Sequence, residues 1–188
     1  MDRYTFSSEW FKRGESLLNK FEETDNTGYL FESYIYLWIS LTISVKQYWA
    51  CTGKKFNSQG GKISTDKQEI KEWSKLFHER IFQLMNENRY LMEELSEQYG
   101  SETNNPIMDS KGDNTRLNQQ VFSDYWLNNN NNHVHKREMV MTMIDILNRV
   151  RNNLFHGEKS FDNKRDIELL RTTCPILCQV AKLSIGIL

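Results

Sequence analysis

The stretch that decides the fold is GYLFESYIYLWISLTISVKQYWAC, residues 28–51. Leu30, Phe31, Tyr34, Ile35, Leu37, Trp38, Ile39, Leu41, Ile43 and Val45 put apolar groups on nearly every side of a helix, as a helix in the middle of a bundle requires. Neither this stretch nor any other shows sustained period-two alternation, so no strands are predicted. Glu32 and Lys46 interrupt it and leave an uncharged span shorter than the roughly 20 residues a bilayer crossing needs. No membrane role is expected.

The flanking sequence extends the helical reading. Ser7 or Ser8 caps a first helix that ends near Glu23, with Trp10, Phe11, Leu17, Leu18 and Phe21 on its apolar face. A third helix is predicted to begin near Asp66, with Glu69 closing a capping box, and to run or break before Tyr99. A short helix holds Val121, Phe122, Tyr125 and Trp126. The next starts near His135 and carries the stripe Met139, Val140, Met143, Ile144, Leu147, Val150 and Leu154, which stops at a C-cap, Gly157. The last helix, about 163–185, aligns Ile167, Leu170, Cys174, Leu177, Ala181 and Ser184, and Pro175 should bend it or remove one hydrogen bond. Polar segments near 52–63, 100–116 and 127–134, the last with five consecutive asparagines, read as surface loops. The expectation is one all-α domain over residues 1–188, an up-and-down bundle of four to six helices.

Composition agrees. Twelve per cent aromatic residues, five of them Trp, argue for a packed core. A net charge of -1 supplies no overall field to draw in nucleic acid, so any RNA contact must be local. Cys51, Cys174 and Cys178 are odd in number and sit in apolar helical context, which implies reduced core thiols and no disulfide framework. The charged, amphipathic start MDRYTFSSEWFKRGES has no apolar run of signal-peptide type, and a cytoplasmic location is expected. Cys174 and Cys178 lack a third ligand nearby, and the pair His133 and His135 fits a solvated loop, so neither a metal nor another cofactor is expected.

Polarity looks misplaced in residues 148–157, NRVRNNLFHG. Four residues on from Leu147 the apolar stripe reaches Arg151, and a guanidinium beside a buried face is costly unless paired or turned to an interface. Asn152 and His156 are four apart and share a face, with Arg151 one step round. An imidazolium at the helix C-terminus is favoured by the dipole and suits a proton donor, and the arginine suits a phosphate. A snorkelling arginine with a C-capping histidine fits the same spacing. Two further residues are candidates for supporting roles. Glu32 is a carboxylate in an apolar helix that either pairs with the motif or faces solvent, and Arg149, seven residues before His156, is a second phosphate contact or a surface residue.

Arg151-Asn152, three residues, then His156 resembles the R-x4-H motif of HEPN domains. The aromatic-rich early helix with Phe31, Tyr34, Tyr36, Leu37 and Trp38, the string RNNLFHGEK and the closing helix RDIELLRTTCPILCQV are similar to that family as well, over most of the chain. The resemblance implies a homodimer with two motifs facing across one groove, and a metal-independent endoribonuclease that acts as a toxin or in phage defence. It assigns Arg151 to the scissile phosphate, Asn152 to orienting the cleft and His156 to proton transfer, leaving 2′,3′-cyclic phosphate ends on the RNA substrate. An antitoxin or other regulatory protein is an implied partner. Some members carry a tyrosine two residues after the histidine that a nucleotidyltransferase antitoxin modifies; here that position is Glu158. The alternatives are a non-catalytic HEPN-like module that binds RNA, a nucleotide or a protein, and a helical structural or immunity protein.

Overall fold

The computed structural model describes residues 3–53, 65–99, 116–128, 135–155 and 164–187. These form α1 (Arg3–Thr24), α2 (Thr27–Thr52), α3 (Asp66–Leu76), α4 (His78–Glu87), α5 (Arg89–Tyr99), α6 (Arg116–Asn128), α7 (Lys136–Phe155) and α8 (Lys164–Gly186), with no strand among the described residues. The all-α class read from periodicity is the class observed. Most of the three polar segments read as loops lies outside the described residues.

The helix number is larger than expected because the segment from Asp66, read as running or breaking before Tyr99, is divided into three. Its apolar positions Trp73, Phe77, Ile81 and Met85 are spaced by fours, and each such step turns the stripe by about 40° on a straight helix. Breaks at Phe77 and Asn88 reset it, so that Ile70, Trp73, Ile81, Phe82, Met85, Leu91, Met92 and Leu95 all reach the core. Asn88 closes α4 with its own amide, Nδ2 donating to the Leu84 carbonyl at 2.9 Å. At the start of α3 the cap is Thr65, whose hydroxyl accepts from the Gln68 backbone N–H, one residue earlier than the box centred on Asp66.

α1 and α2 form an antiparallel hairpin across a two-residue turn, Asp25 and Asn26. Asn26 caps α2 by accepting from the Gly28 N–H at 3.0 Å, and Asp25 takes the left-handed φ of 55° that the turn needs. Small residues let the two helices approach closely. Ser33 Oγ donates to the Gly14 carbonyl at 2.8 Å and Ser40 Oγ to the Ser7 carbonyl at 2.9 Å. A β-carbon on Gly14 would sit 2.7 Å from Leu37 Cγ.

α8 lies along this hairpin, contacting both helices, and the Cys174 thiol donates to Ser33 Oγ at 3.4 Å where the three meet. α3 and α4 pack on α7, α5 on α6 and α8, and α2 touches α7. One hydrophobic cluster takes side chains from all eight helices, among them Phe11, Leu37, Trp73, Ile81, Leu95, Trp126, Met143 and Leu177. Pro175 sits inside α8 without ending it, so the cost of the missing N–H is absorbed within one continuous helix. Cys174 and Cys178 are buried as read, whereas Cys51, at the end of α2, is exposed. No helix among the described residues is long and apolar enough to cross a membrane.

Candidate functional site

The last turns of α7 carry the candidate residues because two forces act on them in opposite senses. Leu147 and Val150 are buried and tie the helix to the core, while Arg151, Asn152, Asn153 and Leu154 are half-buried at its margin. The guanidinium of Arg151 is held locally on two sides. Its Nη1 donates to Asn152 Oδ1 at 2.8 Å, and its Cζ lies 4.7 Å from the centre of the Phe155 ring, one helical turn further on. Its Nε is buried and makes no hydrogen bond among the described residues. A half-buried planar cation fixed by an amide and a ring has its orientation set before any acceptor oxygen arrives.

α2 braces this turn from below. Tyr34, fully buried, donates its hydroxyl to the Leu147 carbonyl at 2.7 Å, one turn before Arg151. Burial pushes the Tyr34 phenol well above its ordinary value, and the nearby Cys174 adds to the shift. The phenol is therefore a permanent donor over the whole physiological range.

Arg151 and Asn152 are brought together as the spacing suggested. His156, the proposed proton donor, and Gly157, the proposed cap, lie outside the described residues. Glu32 is exposed, and two residues from Tyr34 means about 200° round α2, away from the side that reaches α7. It makes no ion pair with Arg151 among the described residues. Arg149 is half-buried and likewise about 200° round α7 from Arg151, so the two arginines do not converge.

Two side chains that shape this end of α7 are not among the site residues singled out from the sequence. Phe155 is 51% exposed, an unusual place for a ring, and its spacing of four from Arg151 is the signal that foretells a cation–π pair. Tyr34 carries no such signal, since nothing local distinguishes it from the other aromatics of α2. Among the described residues no group of three His, Cys, Asp or Glu side chains is placed to hold a metal ion.

Comparison of the chain with family models, with curated proteins and with solved structures finds no match. The class defined by the structure is an all-α helical bundle.

Proposed function

We propose that the chain is a metal-independent endoribonuclease of HEPN type, in which Arg151 binds the scissile phosphate, Asn152 fixes the arginine and His156 transfers the proton. The observation that carries this reading is the Arg151 guanidinium, half-buried at the end of α7 and oriented by Asn152 and Phe155. The ribose 2′-hydroxyl attacks phosphorus, the bond from phosphorus to the 5′ oxygen breaks, and the proton lost from the 2′ oxygen is balanced by one delivered to the leaving 5′ oxygen. The products are a 2′,3′-cyclic phosphate and a 5′-hydroxyl. Charge accumulates on the phosphorane oxygens, and a fixed guanidinium stabilises it with little reorganisation. The reading includes a homodimer in which two copies of the motif share one groove, with RNA as substrate and a regulatory protein to restrain it.

The test is cleavage of RNA by the purified chain, with product ends identified, in the presence of EDTA. Arg151→Ala and His156→Ala each lower the rate by about 10²–10⁴ while the helical circular dichroism stays unchanged. A chain that binds RNA but cuts none under any condition supports the non-catalytic module instead. The net charge of -1 is the observation on that side, because it limits phosphate contacts to a few residues.

A further inference from the structure

α2 is apolar on nearly every side, yet one arc of it is only half-buried among the described residues. α1, α3, α7 and α8 occupy the arc that holds Leu30, Ser33, Tyr34, Leu37, Leu41 and Val45. The opposite arc is centred on Ile39. At about 100° per residue, Glu32, Ile35, Thr42, Ile43 and Lys46 all fall within about 60° of it. Ile35, Ile39, Thr42 and Ile43 are half-buried and Glu32 and Lys46 are exposed. None of the three isoleucines is packed on the core cluster.

We infer that this face of α2 is covered by α2 of a second copy of the chain, antiparallel and related by a two-fold axis through Ile39. The order of the residues along α2 is self-complementary. Reflecting α2 about position 39 pairs Ile35 with Ile43 and Glu32 with Lys46. In an antiparallel two-fold crossing, residue i of one copy meets residue 78 minus i of the other, so each isoleucine meets an isoleucine, Tyr36 meets Thr42 and each carboxylate meets an ammonium. A self-complementary face of this kind is the requirement of an isologous contact, and an unrelated partner would impose no such symmetry. The charged pairs close both ends of the apolar strip and set its register, as flanking charges do in helix pairs.

Two neighbours extend the surface. Trp10 of α1 stacks on Tyr36 with ring centres 5.2 Å apart, and Phe6, 44% exposed, sets its edge against Trp10. They widen the apolar area beyond one helix. Lys46 already pairs with Asp66 at 2.7 Å at a half-exposed position, so its ammonium keeps exposed surface for a second carboxylate.

This contact is independent of the ribonuclease reading and of the groove between motifs. Tyr34 reaches α7 from a point about 140° round α2 from Ile39, so the two surfaces point in different directions. If both contacts form, two two-fold interfaces per chain build a closed tetramer or an open chain.

The experiment is sedimentation equilibrium of the wild-type chain, E32K, K46E and an equimolar mixture of the two variants, at matched micromolar concentration. Each variant alone sets like charges against each other at both ends of the strip. Each is expected to fall to half the wild-type mass or less, with a dissociation constant raised about tenfold or more. The mixture restores opposite charges at both ends, in variant-to-variant pairs alone, and recovers the wild-type mass. Ile39→Asp, outside the core, separates the copies while leaving helical circular dichroism unchanged. A wild-type mass that none of the three substitutions alters overturns the proposal, as does a wild-type monomer or a mixture that behaves as the sum of its parts. RNA cleavage by the same samples is read separately, so a failure of the catalytic reading leaves this result interpretable.

Discussion

The Tyr34 hydroxyl and the Leu147 carbonyl, 113 residues apart in sequence, meet at 2.7 Å in the buried interior, and the same carbonyl accepts the backbone N–H of Arg151 within α7. One oxygen thus links the central helix to the turn that presents the candidate phosphate-binding arginine. Removing the phenolic oxygen leaves the carbonyl with its helical partner, so Tyr34→Phe costs only the net value of one hydrogen bond, about 1 kcal/mol, measured by urea unfolding. A loss of several kcal/mol would show that the bond does more than join two helices.

Alkaline pH will destabilise the fold through groups that hold their protons only when folded. Burial pushes the Cys174 and Cys178 thiols up to about 12 and the Tyr34 phenol well above its usual value. In the unfolded chain these groups ionise near ordinary values, so the native state binds more protons and stability falls as pH rises. Their contribution is complete below about pH 9 and is lost progressively toward about 12. Urea midpoints measured across that range should decline, and Tyr34→Phe should flatten the part of the decline above the ordinary phenol value.

Gly14 is fixed by proximity. In an open helix Gly→Ala stabilises by about 1 kcal/mol, but here the new methyl would meet Leu37 Cγ at 2.7 Å and Leu37 Cδ2 at 2.9 Å. The clash outweighs the propensity gain, and Gly14→Ala should lower stability by roughly 1–2 kcal/mol in the same unfolding assay. An increase would mean that α1 and α2 separate with little cost.

Arg151 should separate stability from activity. Its Nε is buried without a hydrogen bond among the described residues, so Arg151→Met removes an unsatisfied group together with the Asn152 hydrogen bond and the Phe155 contact; these oppose each other, and unfolding free energy should change by less than about 1 kcal/mol. RNA cleavage should vanish in the same variant. Arg151→Lys should also impair cleavage, because a point charge replaces neither the planar fork nor the contact over Phe155. A variant that loses both fold and cleavage would identify Arg151 as structural.

The sequence by itself determined the helices, because periodicity, caps and good helix formers act over a few residues. The stripe of α8, the start of α7 near His135 and the span of α2 were all legible in this way. So was the neighbourhood of Arg151 and Asn152, which touch along one helix. Tertiary structure alone decided which faces were covered. The drift of the apolar stripe between Trp73 and Met85 signals a break, but its placement at Phe77 and Asn88 follows from the core that α3, α4 and α5 share. Glu32 points away from α7, and Tyr34 toward it, because α1 and α8 pack on the arc between them. Cys51, read as a core thiol, is exposed for the same reason: hydrophobicity states that a side chain gains from burial, but only the placement of distant helices determines whether anything is there to bury it.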